Sequence, residues 1–214
     1  MFMDKWDRLR FKEENMGMKM TMRQKLLKMV YPLFIFYEKI KGKRTVLYNE
    51  KEISAPESFY SLSAELSSGP VINFEKFRGR KVMIVNTASD CGYTAQYAEL
   101  QKLYQHSKED LDIIAFPSND FGDQEKRKDE EVREFCINIY SIRFLIAKKS
   151  VVKRSAAQHP VFRWLTQKEM NGWNEKPPSW NFSKYIIDEE GRLTHYFDPS
   201  ISPVSEEVIK AIHQ

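Results

Sequence analysis

Two cysteines are the residues of this sequence best suited to redox chemistry. Cys91 lies in the stretch NTASDCGYTAQY, after an apolar run and before a segment with helical spacing. Three interpretations are open for it: a buried structural thiol, one half of a disulfide, or a nucleophile. Cys136 lies in KDEEVREFCINIY, on an apolar helix face shared with Val132, Phe135 and Ile139. Burial in the core is therefore the simplest interpretation of Cys136.

The segments around Cys91 predict an α/β fold. KVMIVNTA (81–88) and LDIIAFP (111–117) are short, β-branched apolar runs, as buried strands are, and the residues between them have helical spacing. The right-handed crossover rule makes these two strands parallel and adjacent. Further helices, a hairpin around Gly191 and a closing helix complete a central sheet with helices on both faces.

This placement gives Cys91 a chemical opportunity. In open α/β sheets, ligands bind beyond the carboxyl ends of the strands, where Cys91 is expected. A helix N-terminus lowers the pKa of a nearby thiol, and Gly92 allows the backbone to turn there. Position alone leaves two alternatives, a nucleophile and a small hydrophobic residue that ends a strand.

Composition limits the other functions. The 214 residues, 42% of them hydrophobic, allow one domain with a full core plus an extension. Two cysteines are too few for a secreted disulfide scaffold and favour a reducing, cytoplasmic location. Residues 1–50 hold 12 Lys/Arg and 6 Asp/Glu, a net charge of +6, and the remaining residues hold 22 Lys/Arg and 24 Asp/Glu, a net charge of −2. The folded part is therefore near neutral, and nothing suggests nucleic-acid binding. Without metal-ligand spacing or a glycine-rich phosphate loop, we expect no metal and no other cofactor.

Residues 1–54 form a basic extension that holds seven of the nine methionines. Within RQKLLKMVYPLFIFYEKIKGKR, the apolar centre (29–37) is interrupted by Pro32 and is too short to span a bilayer. Three alternatives remain: a surface helix packed on the domain, an interfacial helix giving peripheral membrane contact through residues 21–44, or a disordered or misannotated leader.

Four segments resemble the glutathione peroxidase family in sequence, order and spacing. KVMIVNTASDCGYTAQYAELQKLY resembles the peroxidatic segment, FPSNDFGDQE the family's FPCNQFGxQE, DEEVREFC its next helix, and WNFSKYIID its WNFxKFLID. The resemblance covers about residues 57–214. It implies a thioredoxin-like fold for residues 55–214, with a central mixed β-sheet flanked by helices.

The resemblance also implies a thiol peroxidase that reduces hydrogen peroxide and organic or lipid hydroperoxides in the response to oxidative stress. Cys91 matches the peroxidatic position, whose thiolate attacks the peroxide and becomes a sulfenic acid. Gln124, Trp180 and Asn181 match the polar partners of that thiol. Cys136 matches the resolving cysteine of the thioredoxin-dependent members, so thioredoxin is the expected reductant, with glutathione as the alternative.

Two structural expectations follow from the resemblance. A disulfide needs Cα atoms within about 7 Å, and a crossover helix is expected to lie further from Cys91 than that. We therefore expect oxidation to unwind part of residues 129–140. Only fourteen residues separate Leu165 from Trp180, as in the monomeric branch of the family. This favours a monomer or weak dimer with an open active site.

The sequence departs from the family pattern at three places. Ser118 replaces a cysteine common in the family, and Asp120 replaces a glutamine and is expected to raise the pKa of Cys91. IYSIRFL (139–145) replaces NYGVTFP, with loss of a glycine and a proline. Two alternative functions remain: a peroxide sensor that uses the same two cysteines, and a membrane-surface module in which the basic extension carries the function.

Overall fold

A six-stranded mixed sheet forms the centre of the protein in the computed structural model, which describes residues 20–41 and 44–214. The strands are β1 (Val46–Tyr48), β2 (Ser63–Glu65), β3 (Val71–Asn73), β4 (Lys81–Thr87), β5 (Leu111–Pro117), β6 (Leu145–Ile146), β7 (Lys184–Ile187) and β8 (Leu193–Phe197). Their order in the sheet is β1-β8-β7-β4-β5-β6, while β2 and β3 form a separate hairpin. The helices are α1 (Met22–Lys41), α2 (Gln96–Ser107), α3 (Asp129–Tyr140), α4 (Pro160–Thr166), α5 (Lys168–Asn171) and α6 (Glu206–His213).

The two predicted central strands are parallel neighbours. β4 pairs with β5 from Lys81 opposite Leu111 to Thr87 opposite Pro117, which confirms the prediction. All seven residues of β4 are buried, because both faces of the sheet are covered. Helices α1, α2, α3 and α6 contribute to the core on one face, and α4 and the β2–β3 hairpin to the core on the other. β7 runs antiparallel to β4, so its first residue lies at the edge where β4 and β5 end.

The basic extension contributes a long helix to this fold. α1 continues through Pro32, which interrupts the apolar run in the sequence without ending the helix. Its Tyr31 is 7% exposed and donates a hydrogen bond of 3.0 Å to the Glu99 carboxylate, as expected for a helix packed on the domain. Within the described residues, no helix combines the length and apolarity needed to cross a bilayer.

The division into an extension (1–54) and a domain (55–214) stays a prediction. β1, from the extension, pairs with β8 at the edge of the central sheet. The methionine-rich start of the extension lies outside the described residues, apart from its last members in and beside α1.

Helix α3 ends on a strained residue. Ser141 follows its last turn with φ 54° and ψ 36°, the left-handed conformation in which glycine is the favoured residue. Its position matches the glycine that IYSIRFL lacks. The backbone keeps the turn because the Ser141 N–H donates to the Ile137 carbonyl at 2.9 Å.

Ser141→Gly should therefore raise the free energy of unfolding by about 0.5–1 kcal/mol, since it removes the Cβ clash of this conformation. Urea unfolding should show a higher midpoint with an unchanged slope. Ser141→Ala, which retains the Cβ, is the matched control and should give no gain. Equal midpoints for Ser141→Gly and wild type would show that the residue is not strained.

Candidate active site

Cys91 lies in the turn that joins β4 to α2. The Thr94 hydroxyl accepts a hydrogen bond from the Cys91 N–H at 3.0 Å and lies 2.7 Å from the Cys91 carbonyl, to which it can donate. A second backbone bond, from the Thr94 N–H to the same carbonyl, is 3.1 Å long. This tight turn fixes the direction of the sulfur before the helix begins at Gln96.

The Cys91 thiol is buried, with only 1% of the residue exposed. Burial raises its pKa, while hydrogen bonding from the Tyr93 N–H, then from the Asn181 and Trp180 side chains and the Gly92 N–H, acts in the opposite direction. The Tyr93 nitrogen lies 3.4 Å from the sulfur. The expectation that the helix N-terminus lowers the pKa of Cys91 is therefore wrong, because the loss of solvent raises this pKa by more than the hydrogen-bond donors lower it.

The structure brings Gln124, Trp180 and Asn181 to the same edge of the sheet as Cys91. The Asn181 amide donates to the Gln124 side-chain oxygen at 3.1 Å. Gly122 lies beside both Gln124 and Trp180: a Cβ built on it would lie 3.7 Å from the Gln124 amide nitrogen and 3.7 Å from the Trp180 ring. Its φ of 65° is in the region that favours glycine. Trp180 is 39% exposed, so it forms an outer wall of the site rather than part of the core. The catalytic roles of these side chains stay a prediction.

Asn86, which the sequence analysis missed, holds the loop that carries Trp180 and Asn181. Its side chain donates to the Trp180 carbonyl at 3.0 Å and accepts from the Ser183 N–H at 3.1 Å. Between these contacts Phe182 adopts φ 69°, an uncommon conformation for a bulky side chain. Backbone strain of this kind persists where surrounding bonds impose it. The sequence signal that could have identified Asn86 is the presence of a polar residue inside the apolar run KVMIVNTA.

Comparison with known proteins places this chain in a family. The family model for glutathione peroxidase matches residues 59–166. The Bacillus subtilis protein named glutathione peroxidase homolog BsaA is 34% identical over 160 residues, covering 73% of this chain and 99% of the relative. The Saccharomyces cerevisiae protein named glutathione peroxidase-like peroxiredoxin HYR1 is 35% identical over 160 residues, covering 72% of this chain and 98% of the relative. The chain belongs to the glutathione peroxidase family.

Solved structures support the same assignment. The apo form of Trgpx matches this chain with a TM-score of 0.56 and 28% identity, over 75% of this chain and 98% of the other. A thioredoxin family protein from Chlorobium tepidum matches with a TM-score of 0.52 at 11% identity, over 77% of this chain and 96% of the other, which shows the fold alone. The predicted thioredoxin-like fold is confirmed, and the protein is a thiol peroxidase, an antioxidant oxidoreductase.

The departure at Asp120 has a different role from the one expected. Its carboxylate accepts hydrogen bonds from the backbone N–H groups of Val152 (2.7 Å) and Lys153 (2.8 Å). The pKa of Cys91 is raised as anticipated, but burial is the largest cause. Asp120 therefore holds a neighbouring loop.

A second polar network supports the residues just before Cys91. The buried Glu125 carboxylate accepts from the Ser89 N–H at 2.8 Å and the Ser89 hydroxyl at 2.6 Å. Asp90 is held by Arg127 at 2.9 Å and by the Gln24 amide of α1 at 2.9 Å. Burial raises the pKa of Glu125, and the hydrogen bonds from Ser89 oppose that rise. Glu125 follows Gln124 in the family motif, whereas nothing in the local sequence of Gln24 predicts this contact.

Cys136 lies on the buried face of α3, as its apolar spacing predicted. None of its surface is exposed, and burial raises its pKa to about 12. The Tyr97 ring packs against its neighbours Phe135 and Tyr140, with centroids 6.4 and 5.4 Å away. Both cysteines are free thiols in this state. Across residues 20–41 and 44–214, no group of His, Cys, Asp or Glu side chains is arranged to hold a metal ion.

Asn86→Ala should slow the oxidation of Cys91 by at least about tenfold, because the loop that aims Trp180 and Asn181 loses its anchor. The buried Ser183 N–H also loses its partner, whereas the Trp180 carbonyl keeps the Ser183 hydroxyl at 3.1 Å, so stability should fall by about 1–3 kcal/mol. Stopped-flow peroxide consumption and urea unfolding measure the two effects.

Asn49→Ala is the matched control, since the Asn49 side chain bonds both backbone groups of Ile53, outside the residues of the site. It should leave the oxidation rate unchanged. A folded Asn86→Ala protein that oxidises at the wild-type rate would contradict the positioning role.

Proposed function

We propose that this peroxidase reduces hydrogen peroxide and organic or lipid hydroperoxides through a Cys91 sulfenic acid, that Cys136 resolves it, and that thioredoxin recycles the enzyme. The observation that supports this most directly is the buried Cys91 thiol, with Tyr93, Asn181 and Trp180 favouring its thiolate. These groups act on the sulfur without adding a titrating group of their own in the neutral range.

In the first step the Cys91 sulfur attacks the outer oxygen of the hydroperoxide. The O–O bond breaks, the sulfur becomes a sulfenic acid, and the thiol proton goes to the departing oxygen, which leaves as an alcohol or water. Donors aimed at the sulfur stabilise the charge that develops in a site with little water. The partly exposed Trp180 leaves one side of the site open to bulky hydroperoxides.

In the second step the Cys136 sulfur attacks the sulfenic acid, an S–S bond forms, and water leaves. Burial and the raised pKa of Cys136 oppose this attack while α3 remains folded. We infer that residues 129–140 open locally to bring the two sulfurs together. The charged segment 123–131, which leads into the first turn of α3, is easily solvated when the helix opens.

Recycling completes the cycle. A reduced thioredoxin dithiol exchanges with the Cys91–Cys136 disulfide, restores both thiols and becomes oxidised itself. The yeast relative is described as a peroxiredoxin, a name that fits a thiol-recycled enzyme. The short connection between Leu165 and Trp180 supports a monomer or weak dimer, and the presence of only two cysteines in the sequence supports the cytoplasm as the compartment. Glutathione is the alternative reductant.

Serine variants of the two cysteines test the proposal. Cys91→Ser should abolish peroxide consumption, because no other described residue is placed to carry the sulfenic acid. Cys136→Ser should still consume about one equivalent of peroxide but lose most thioredoxin-supported turnover. NADPH consumption with thioredoxin or glutathione, and mass mapping of the oxidised protein, provide the measurements.

Circular dichroism should show that each variant is folded. A stable Cys91 sulfenate with Cys136 still free in the wild type would exclude resolution by Cys136 and favour an external thiol. A disulfide without sustained turnover would favour the peroxide-sensor alternative.

The rate of the first step should rise with pH. Since the pKa of Cys91 is raised and the thiolate is the nucleophile, the reactive fraction keeps growing beyond about pH 8.5, the ordinary thiol value. Trp180→Phe removes a donor that lowers this pKa, so its profile should shift to higher pH. Single-turnover rate constants between neutral and alkaline pH provide the test, and a plateau near neutrality would contradict it.

A further inference from the structure

The outer side of α1 carries an exposed apolar stripe. Met22, Leu26, Met29, Leu33 and Phe36 are 80%, 56%, 70%, 71% and 62% exposed. They recur every three or four residues, so at about 100° per residue they fall within about 80° of arc. A continuous exposed apolar surface with a polar border is typical of an interaction site.

The opposite side of the same helix is already occupied. Gln24 is 3% exposed and Tyr31 7% exposed, and Ile35 packs against the core cluster that contains Tyr31. These residues attach α1 to the domain. Packing on the domain therefore explains the inner face and leaves the outer stripe unexplained.

Basic residues border the stripe on both sides. Arg23 lies about 100° from the centre of the stripe in one direction, and Lys25 about 60° and Lys28 about 120° in the other. All three side chains are exposed. Arg23 and Lys25 form no ion pair with a residue in the described part of the chain, whereas the Lys28 ammonium lies 5.7 Å from the centre of the Tyr140 ring of the domain.

We propose that the outer face of α1 docks on an anionic membrane surface while the inner face stays on the domain. Basic amphipathic helices bury their apolar side at the boundary of head groups and acyl chains, and their lysines and arginines attract acidic lipids. A second copy of the chain would bring the same basic borders together, which opposes helix pairing. Charge complementarity therefore favours anionic lipid as the occupant.

Docking in this orientation brings the catalytic turn near the lipid. The Gln24 amide contacts the Ser89 carbonyl at 3.2 Å and the Asp90 carboxylate at 2.9 Å, and Asp90 directly precedes Cys91. An α-helix with its side chains is about 10–12 Å thick. The membrane surface then lies about one helix diameter from the turn that holds Cys91.

Flotation of the full chain with phosphatidylcholine vesicles, with and without phosphatidylserine, tests the proposal. The wild type should float with the anionic vesicles, less so at high salt, and remain unbound with neutral ones. Leu26→Glu/Leu33→Glu should lose most of the flotation, and Arg23→Gln/Lys25→Gln should weaken it. Val71→Glu, which places a carboxylate at a 64% exposed apolar site of β3, is the matched control and should float like the wild type.

Failure of the full chain to float, or equal flotation with neutral vesicles, would overturn the proposal. So would a dimer in vesicle-free light scattering that Leu26→Glu/Leu33→Glu dissociates, since the stripe would then bind a second copy. If the protein floats only after residues 1–19 are removed, the apolar stripe of the full chain binds that segment and not lipid. Hydrogen peroxide turnover without vesicles is measured separately: its absence in the wild type would contradict the proposed function and leave the docking result intact.

Discussion

Burial of the Cys91 thiol is the constraint on which the site depends. A sulfur removed from water favours its neutral form, so charge can develop there only where hydrogen-bond donors replace the solvent. The surrounding groups come from three separate parts of the chain: the backbone after Cys91, the loop 122–124 and the loop 180–181. They meet because β4 and β5 end, and β7 begins, at one edge of the sheet. The mixed sheet is thus what makes a buried thiol usable.

The same dependence explains how much could be predicted from the sequence. The two β-branched runs and the crossover rule were enough to place Cys91 at the correct edge. Trp180 and Asn181 could be assigned only through the family motif, because a tryptophan or an asparagine alone has no pattern that indicates this role. The helix N-terminus and Asp120 predicted opposite shifts in the pKa of Cys91, and the burial that decides the net direction comes from distant segments without a local sequence signal.

Tertiary contacts also overrode two local rules. Proline inside a helix predicts a break, yet α1 passes through Pro32 while Gln24 and Tyr31 attach it to the domain. An acidic side chain near a thiol predicts a Coulombic effect, yet Asp120 is held by two backbone N–H groups of another loop. In both cases the partners that decide the outcome lie more than thirty residues away in the sequence, so no local pattern could reveal them.

In the proposed cycle, the burial of Cys136 separates the two chemical steps in time. Its thiol is buried while α3 is folded, so the proposed resolution requires local opening, whose frequency depends on the stability of α3. The two ends of α3 have opposite effects on its stability. Three acidic residues in its first turn complement the helix dipole, whereas Ser141 adopts a left-handed conformation at the other end. We infer that the serine, where the family motif has glycine, weakens the end of α3 nearer to Cys136 and so favours the opening that the disulfide requires.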